Sequence, residues 1–94
     1  MAFLIKTDGT VTDIEPKNGK NFKLEELYEL IGCQLIQTCP AQEKGKILIF
    51  DEEGLYMEKP LNQEATMGMH DDMGPFVYNI IVGTAVMCND GELK

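Results

Sequence analysis

Two segments of the chain are apolar on both sides of an extended backbone, and this feature limits its possible folds most strongly. Successive side chains of a strand point to opposite faces of a sheet. Lys46–Phe50 and Ile80–Cys88 therefore present apolar groups to both faces. Such strands lie inside a sheet that is covered on both sides. Because one helix covers only one face, we expect other subunits to supply the rest, as a symmetric dimer or a larger ring.

One segment has the apolar spacing of a helix. Within Leu24–Ile31 the apolar side chains recur at i, i+3, i+4 and i+7, which places them on one helical face. Glu25 and Glu26 fall in the first turn, where the helix dipole favours anions. Asn21 has the side chain of an N-cap, and Gly32 suits the left-handed residue that ends a helix. The sequence therefore predicts the main helix at Leu24–Ile31.

A β-hairpin is predicted over the segment Phe3–Ile14. Asp8-Gly9 is typical of a two-residue hairpin turn. A turn centred there pairs Ile5 with Thr12 and Phe3 with Ile14. This register places the side chains of Phe3, Ile5 and Ile14 on one face of the hairpin.

The remaining apolar runs complete an α+β fold. Three further strands and a short helix are predicted, at Cys33–Cys39, Lys46–Phe50, Phe76–Cys88 and Gln63–Met67. Asn62 caps the short helix, Asp51–Gly54 turns with Gly54 left-handed, and Gly83 indicates a bulge or a close backbone approach. We expect one domain, residues 1–94, with an antiparallel or mixed sheet of about five or six strands and one main helix packed on it.

The charge balance excludes one class of partner. The chain has eight lysines, no arginine and sixteen acidic residues, which give a net charge of −8. A protein that binds nucleic acid directly needs a basic face, so we expect no direct nucleic-acid binding. The acidic residues either keep a small protein soluble or form a surface that mimics nucleic acid.

No segment predicts a membrane or a secreted protein. The longest apolar run, Ile80–Cys88, is far shorter than the roughly 20 residues that span a bilayer. Lys6 and Asp8 follow the first apolar residues at once, unlike in a secretory signal. The cysteines are odd in number and include no C-x-x-C pair, so no disulfide framework is expected. These features favour a cytoplasmic location.

Residues for catalysis or metal binding are not grouped in the sequence. The chain has no serine, which excludes a Ser-His-Asp mechanism, and its single histidine, His70, stands beside two aspartates in a predicted loop. Cys33, Cys39 and Cys88 lack the close pairs typical of zinc sites, and we expect them to be inert buried side chains on strands. We therefore predict a non-enzymatic protein without a metal or a cofactor.

The segment Pro16–Lys23, which we call the basic window, has three lysines and no acid. It leads into the N-terminus of the predicted helix, where backbone N–H groups favour an anion. Its candidate ligand-binding residues are Lys17, Asn18, Lys20, Asn21 and Lys23, with Phe22, Phe76 and Tyr78 as an aromatic floor for a base. The alternative is a solvated turn that caps the helix.

Five stretches make the chain resemble a known family. They are Ile14–Leu27, Ile31–Gly32, Phe50–Gly54, Pro60–Thr66 and Ile80–Gly83. In this order they are similar to small proteins with a domain of unknown function that phages and other bacterial mobile elements carry. Cys33 stands where members of that family often have a second glycine. The resemblance implies a bacterial or phage protein that stays inside the cell, and it carries over no catalytic residue.

Two functions fit this setting. The first is sequestration of a small anionic nucleotide signal of host defence, cyclic or of the ADP-ribose type, in a pocket built by an oligomer. The alternative is an acidic inhibitor that docks on a host protein, with Asp51, Glu52 and Glu53 controlling the contact. An enzyme that degrades such a signal is disfavoured, since no nucleophile is grouped with the lone histidine. We favour sequestration, with the basic window as the ligand site.

Overall fold

Short apolar segments of the chain pair into an antiparallel sheet. The structure is a computed structural model, and it describes residues 2–54, 58–68 and 80–92. Within those residues lie the strands β1 (Ala2–Ile5), β2 (Val11–Ile14), β3 (Ile36–Pro40), β4 (Lys46–Asp51) and β5 (Ala85–Asn89), the helices α1 (Leu24–Ile31) and α2 (Gln63–Met67), and a 3-10 turn at Asp90–Glu92. The sheet order is β2-β1-β5-β4-β3, and every neighbouring pair is antiparallel. The α+β prediction is confirmed.

Helix α1 has the predicted bounds. It ends at Gly32, whose φ of 76° and ψ of 46° are left-handed and whose N–H donates to the Tyr28 carbonyl at 2.8 Å. Leu27 and Ile31 are buried, whereas Leu24 in the first turn is exposed. Neither helix in the described part of the chain is long and apolar enough to cross a bilayer.

Both faces of the sheet have an apolar core. The core under α1 consists of Ala2, Phe22, Leu27, Ile31, Ile49, Val86 and Cys88. The opposite core consists of Ile5, Cys39, Ala41, Leu48, Phe50, Ala65, Ile81 and Ala85. Ala65 of α2 and Ile81 lie outside the strands, so the chain itself supplies part of the cover on this second face. The apolar residues of Lys46–Phe50 thus lie on both faces of the sheet, as predicted, and the expected oligomer stays a prediction.

The predicted hairpin forms, but its register is wrong by one residue. Lys6 N donates to the Thr10 carbonyl at 2.9 Å, and Gly9 N donates to the Lys6 carbonyl at 3.0 Å. With Gly9 at a φ of 93°, the loop has three residues and not two, as in a type I turn followed by a left-handed residue. The Cα partners are Ala2↔Ile14, Phe3↔Asp13, Leu4↔Thr12 and Ile5↔Val11. Ile14 therefore lies on the α1 face, opposite to the face of Phe3 and Ile5.

The other strands differ from their predicted ranges. Strand β3 begins three residues later than predicted, at Ile36, and includes Pro40, which pairs with Ile47. Proline is tolerated there because β3 is an edge strand. Strand β5 begins only at Ala85, and residues 76–79 of its predicted range lie outside the described residues.

Glycine is required at Gly54 and at Gly83 for different physical reasons. Gly54 is not left-handed; a Cβ on it would lie 2.7 Å from Cγ2 of Val82, so close packing explains this glycine. Gly83 has a φ of 75°, and a Cβ there would lie 2.8 Å from Cδ of Lys59. Gly83 lies before β5 and not within a strand, and the group that comes close to it is the side chain of Lys59, not another backbone.

Asn62 caps α2 as predicted and does more than cap it. Its Oδ1 accepts from Ala65 N at 3.1 Å, while its Nδ2 donates to the carbonyls of Ile5 at 2.9 Å and Gly83 at 2.8 Å. The side chain is fully buried. One amide group therefore joins α2, the end of β1 and the segment before β5.

Candidate functional site

The basic window folds around the side chain of Asn18. Its Oδ1 accepts from Lys20 N at 2.8 Å and from Asn21 N at 2.9 Å, and its Nδ2 donates to Asn21 Oδ1 at 3.0 Å. Asn21 is thus not the N-cap of α1. Lys23 holds that position, with a φ of −91°, a ψ of 157° and no side-chain hydrogen bond to the helix. Of the predicted alternative, a solvated turn that caps the helix, the turn is present, but no side chain caps the helix.

The cleft beside the basic window has mixed charge. It measures about 360 Å³ and is lined by Lys17, Asn18, Lys23, Glu25, Glu26 and Glu29. The structure therefore brings together Lys17, Asn18 and Lys23, whereas Lys20 and Asn21 do not line this cleft. Two lysines therefore face three glutamates in this cleft. The glutamates lie together because residues three and four positions apart share one face of a helix.

Lys17 already contacts two carboxylates of the cleft. Lys17 N donates to Glu26 Oε2 at 3.0 Å. Lys17 Nζ lies 3.7 Å from Glu29 Oε2, and both of these side chains are exposed. Two carboxylates thus lower the positive potential that an anionic ligand would need.

The aromatic floor expected for a base does not include Phe22. Its side chain is fully buried in the core under α1, where it fills space between the helix and the sheet. Phe76 and Tyr78, the other aromatic candidates, lie outside the described residues, and so does His70.

A second cavity lies at the C-terminal end of α1, and we call it the helix-end cavity. It measures about 460 Å³ and is lined by Tyr28, Glu29, Gly32, Cys33, Gln34, Asp51 and Glu53. Glu29 lines both this cavity and the cleft beside the basic window, so one acidic surface continues along the helix. We call Glu25, Glu26, Glu29 and Glu53 the acidic face. Sequence reasoning missed it, although the i, i+4 spacing of Glu25 and Glu29 was a usable signal.

Asp51, which the docking hypothesis placed at a protein contact, has a structural role. Its side chain is buried, its Oδ2 lies 2.6 Å from Lys59 Nζ, and its Oδ1 accepts from Glu53 N at 2.9 Å. Lys59 Nζ also donates to the Gly32 carbonyl at 3.0 Å. The ion pair therefore ties the end of α1 to the turn after β4. Glu52 and Glu53 remain exposed, as a docking surface requires.

The cysteines are free, and two of them are buried. Burial raises the pKa of Cys39 to about 11. Burial also raises the pKa of Cys33, the Asp51 carboxylate raises it further, and Lys59 acts in the opposite direction. Both thiols are thus protonated at neutral pH and poorly nucleophilic. Cys33 lies between α1 and β3 and is half-buried, contrary to its predicted place on a strand.

A metal site does not emerge from the part of the chain that the structure describes. Over residues 2–54, 58–68 and 80–92, no three side chains among His, Cys, Asp and Glu are grouped so that they could hold an ion. The geometry described above is that of clefts lined by charged side chains.

Comparison with known proteins identifies one family. A family model described as a domain of unknown function, DUF3846, matches residues 1–93. Searches of curated proteins and of solved structures gave no match.

Proposed function

On the premise that the chain belongs to the DUF3846 family, a domain of unknown function, we propose that it is a non-enzymatic binding protein that docks on the basic surface of another protein. The observation that carries this proposal is the acidic face. Its carboxylates line two adjacent clefts that meet at Glu29. In the phage setting that the sequence resemblance implies, the partner is a host protein.

Electrostatics supports docking on a protein. The chain has a net charge of −8, so its long-range field attracts a basic surface and raises the association rate at low salt. The lysines near the acidic face do not neutralise it, since Lys17 and Lys23 stand against Glu25, Glu26 and Glu29 in the cleft. Three of these carboxylates are held on one helix, so the geometry of this contact surface is largely set before binding.

Charge-neutralising variants test the proposal. The acidic-face variant is Glu25→Gln/Glu29→Gln/Glu53→Gln, and Glu26 is left unchanged because its carboxylate accepts from Lys17 N. The matched control, Asp13→Asn/Glu15→Gln/Glu64→Gln, removes three charges from exposed positions elsewhere. A partner captured from a bacterial lysate is purified, and its affinity is measured by calorimetry at low and at high salt.

We expect the acidic-face variant to bind the partner at least about tenfold more weakly, which is about 1.4 kcal/mol, and the control to stay within about twofold. Affinity of the wild type should fall with added salt. Equal affinity of the wild type and the acidic-face variant contradicts the proposal.

Sequestration of a small anionic nucleotide remains a second candidate. It is favoured by the convergence of Lys17, Asn18 and Lys23 on one cleft and opposed by the three glutamates in that cleft. Calorimetry against cyclic and ADP-ribose-type nucleotides, with the wild type and Lys17→Glu/Lys20→Glu, separates the two functions. Binding that the lysine variant abolishes supports sequestration, and absence of binding by every nucleotide leaves docking as the function.

A further inference from the structure

The helix-end cavity combines three kinds of group that suit a cation. It is bounded by the aromatic side chain of Tyr28, the carboxylates of Glu29 and Glu53, and the backbone of Gly32 at the end of α1. Its volume of about 460 Å³ lies within the range of sites that take a small group. This cavity is a feature of the tertiary structure, because α1 and the turn after β4 are far apart in sequence.

The end of α1 contributes negative potential to the cavity. The last carbonyls of a helix carry the negative end of its dipole. The last turn of α1 contains no basic residue. Within the described residues, the carboxylate of Glu53 has no cationic partner. The cavity therefore has more negative charge than its surroundings neutralise.

Two groups at the cavity already bind an ammonium group of this same chain. Asp51 Oδ2 and the Gly32 carbonyl both contact Lys59 Nζ, at 2.6 and 3.0 Å. Burial and the Asp51 carboxylate raise the pKa of the adjacent Cys33 thiol, and Lys59 lowers it. The contacts of Asp51 and Gly32 with Lys59 Nζ thus show that this end of α1 accommodates a cationic group.

We propose that the helix-end cavity binds an arginine side chain of the partner protein. This inference rests on the proposed docking function and names the group that the acidic face recognises. A guanidinium is planar, donates to two carboxylates at once and stacks on an aromatic ring. Glu29, Glu53 and Tyr28 supply these complementary groups, whereas the ammonium of a lysine lacks the planar fork. Arginine is therefore bound in preference to lysine.

The test uses small probes, so it does not need the partner. Nα-acetyl-L-arginine methylamide and its lysine and citrulline counterparts are titrated into the full-length 15N-labelled protein and followed by NMR. We expect saturable shifts at the amides of Gly32, Cys33, Gln34 and Glu53 with the arginine probe. The lysine probe should bind at least about threefold more weakly, and neutral citrulline should not saturate.

Variants locate the site. Tyr28→Leu and Glu53→Gln should each weaken arginine binding at least about threefold, while Glu64→Gln on α2, which removes the same charge, should leave it within about twofold. The amide spectrum of each variant shows whether its fold is retained. Shifts centred on Glu25 and Glu26, or equal affinity of the arginine and lysine probes, overturn the inference.

The two proposals can fail separately. If arginine does not bind the cavity but the acidic-face variant still weakens the partner, the cavity is rejected and docking stands. If arginine binds the cavity but the acidic-face variant leaves partner affinity unchanged, docking through this face is rejected and the cavity stands as a guanidinium site.

Discussion

At the scale of single residues, two buried polar side chains hold segments that are distant in sequence. The side chain of Asn62 forms hydrogen bonds with three backbone groups from three segments. The carboxylate of Asp51 forms an ion pair with Lys59 and accepts a hydrogen bond from Glu53 N. Among the described residues, no buried side-chain nitrogen or oxygen lacks a hydrogen-bond partner. Unpaired buried polar groups are destabilising. Removing one partner of these buried interactions should therefore lower the free energy of unfolding far more than changing a surface charge.

Lys59→Met should destabilise the fold by about 3 kcal/mol, because it leaves the buried Asp51 carboxylate without its cation. Lys17→Met is the control, since it breaks the exposed pair with Glu29 and should change stability by less than about 0.5 kcal/mol. Urea unfolding followed by circular dichroism measures both. Adding Asp51→Asn to Lys59→Met should recover part of the loss, and similar effects of the two lysine variants would contradict this account.

Cys39 should make stability sensitive to alkaline pH. Its pKa is raised from 9.0 to about 11 by burial, so above pH 9 the unfolded state loses a proton that the folded state keeps. The stabilisation is complete below pH 9 and is lost as the pH rises toward 11. Unfolding free energies of wild type and Cys39→Val, compared between pH 8 and pH 10.5, should show the smaller loss in the variant. A loss of equal size would show that the thiol does not contribute.

At the scale of elements, α1 begins without an optimal cap. Lys23 stands at the N-cap, and no side chain there accepts from the first turn. The nearby asparagines cannot substitute, because the Oδ1 of Asn18 already accepts two backbone N–H groups of the preceding loop. The helix is instead held by its buried residues Leu27 and Ile31, as expected for a helix of only two turns.

Lys23→Asn should therefore stabilise the protein by about 1 kcal/mol, since asparagine is among the best N-cap residues. Lys20→Asn removes the same charge from the exposed loop and is expected to be neutral. Thermal unfolding compares the two, with a higher midpoint for Lys23→Asn alone. A rise of the same size in both variants would point to relief of charge and not to a helix cap.

At the scale of the whole molecule, net charge and apolar surface act in opposite directions. The charge of −8 makes copies of the chain repel one another. Several large apolar side chains are nevertheless exposed, among them Val11, Leu35, Leu61 and Met67, and exposed apolar groups favour association. Formation of the expected oligomer thus depends on whether the charge repulsion or the association of exposed apolar side chains contributes the larger free energy.

Light scattering at micromolar concentration should show a dimer or a larger assembly. Because screening weakens the repulsion between acidic copies, association should strengthen between 50 mM and about 500 mM salt. A 10.5 kDa species at every salt concentration would exclude the oligomer.

The sequence by itself determined the elements whose signals are local. The apolar spacing of α1 and its glycine end, the Asn62 cap of α2, and the two-sided strand Lys46–Phe50 each depend on residues within one or two turns or one strand. These local signals also predicted the α+β class, and five ordered stretches predicted a family of unknown function, which the family model matching residues 1–93 supports. The prediction of no direct nucleic-acid binding rests on composition alone and stays a prediction.

Tertiary structure decided the features that require contacts between separate segments of the chain. The hairpin register changed because one extra loop residue reverses the face of every partner. The basic window lost its positive character because α1 places Glu25, Glu26 and Glu29 beside it. Asp51 became a buried partner of Lys59, and Gly54 proved to be packed against Val82. Packing brings together residues from several segments, and these contacts determine the charge and the exposure of a site. A pattern along the sequence does not contain them.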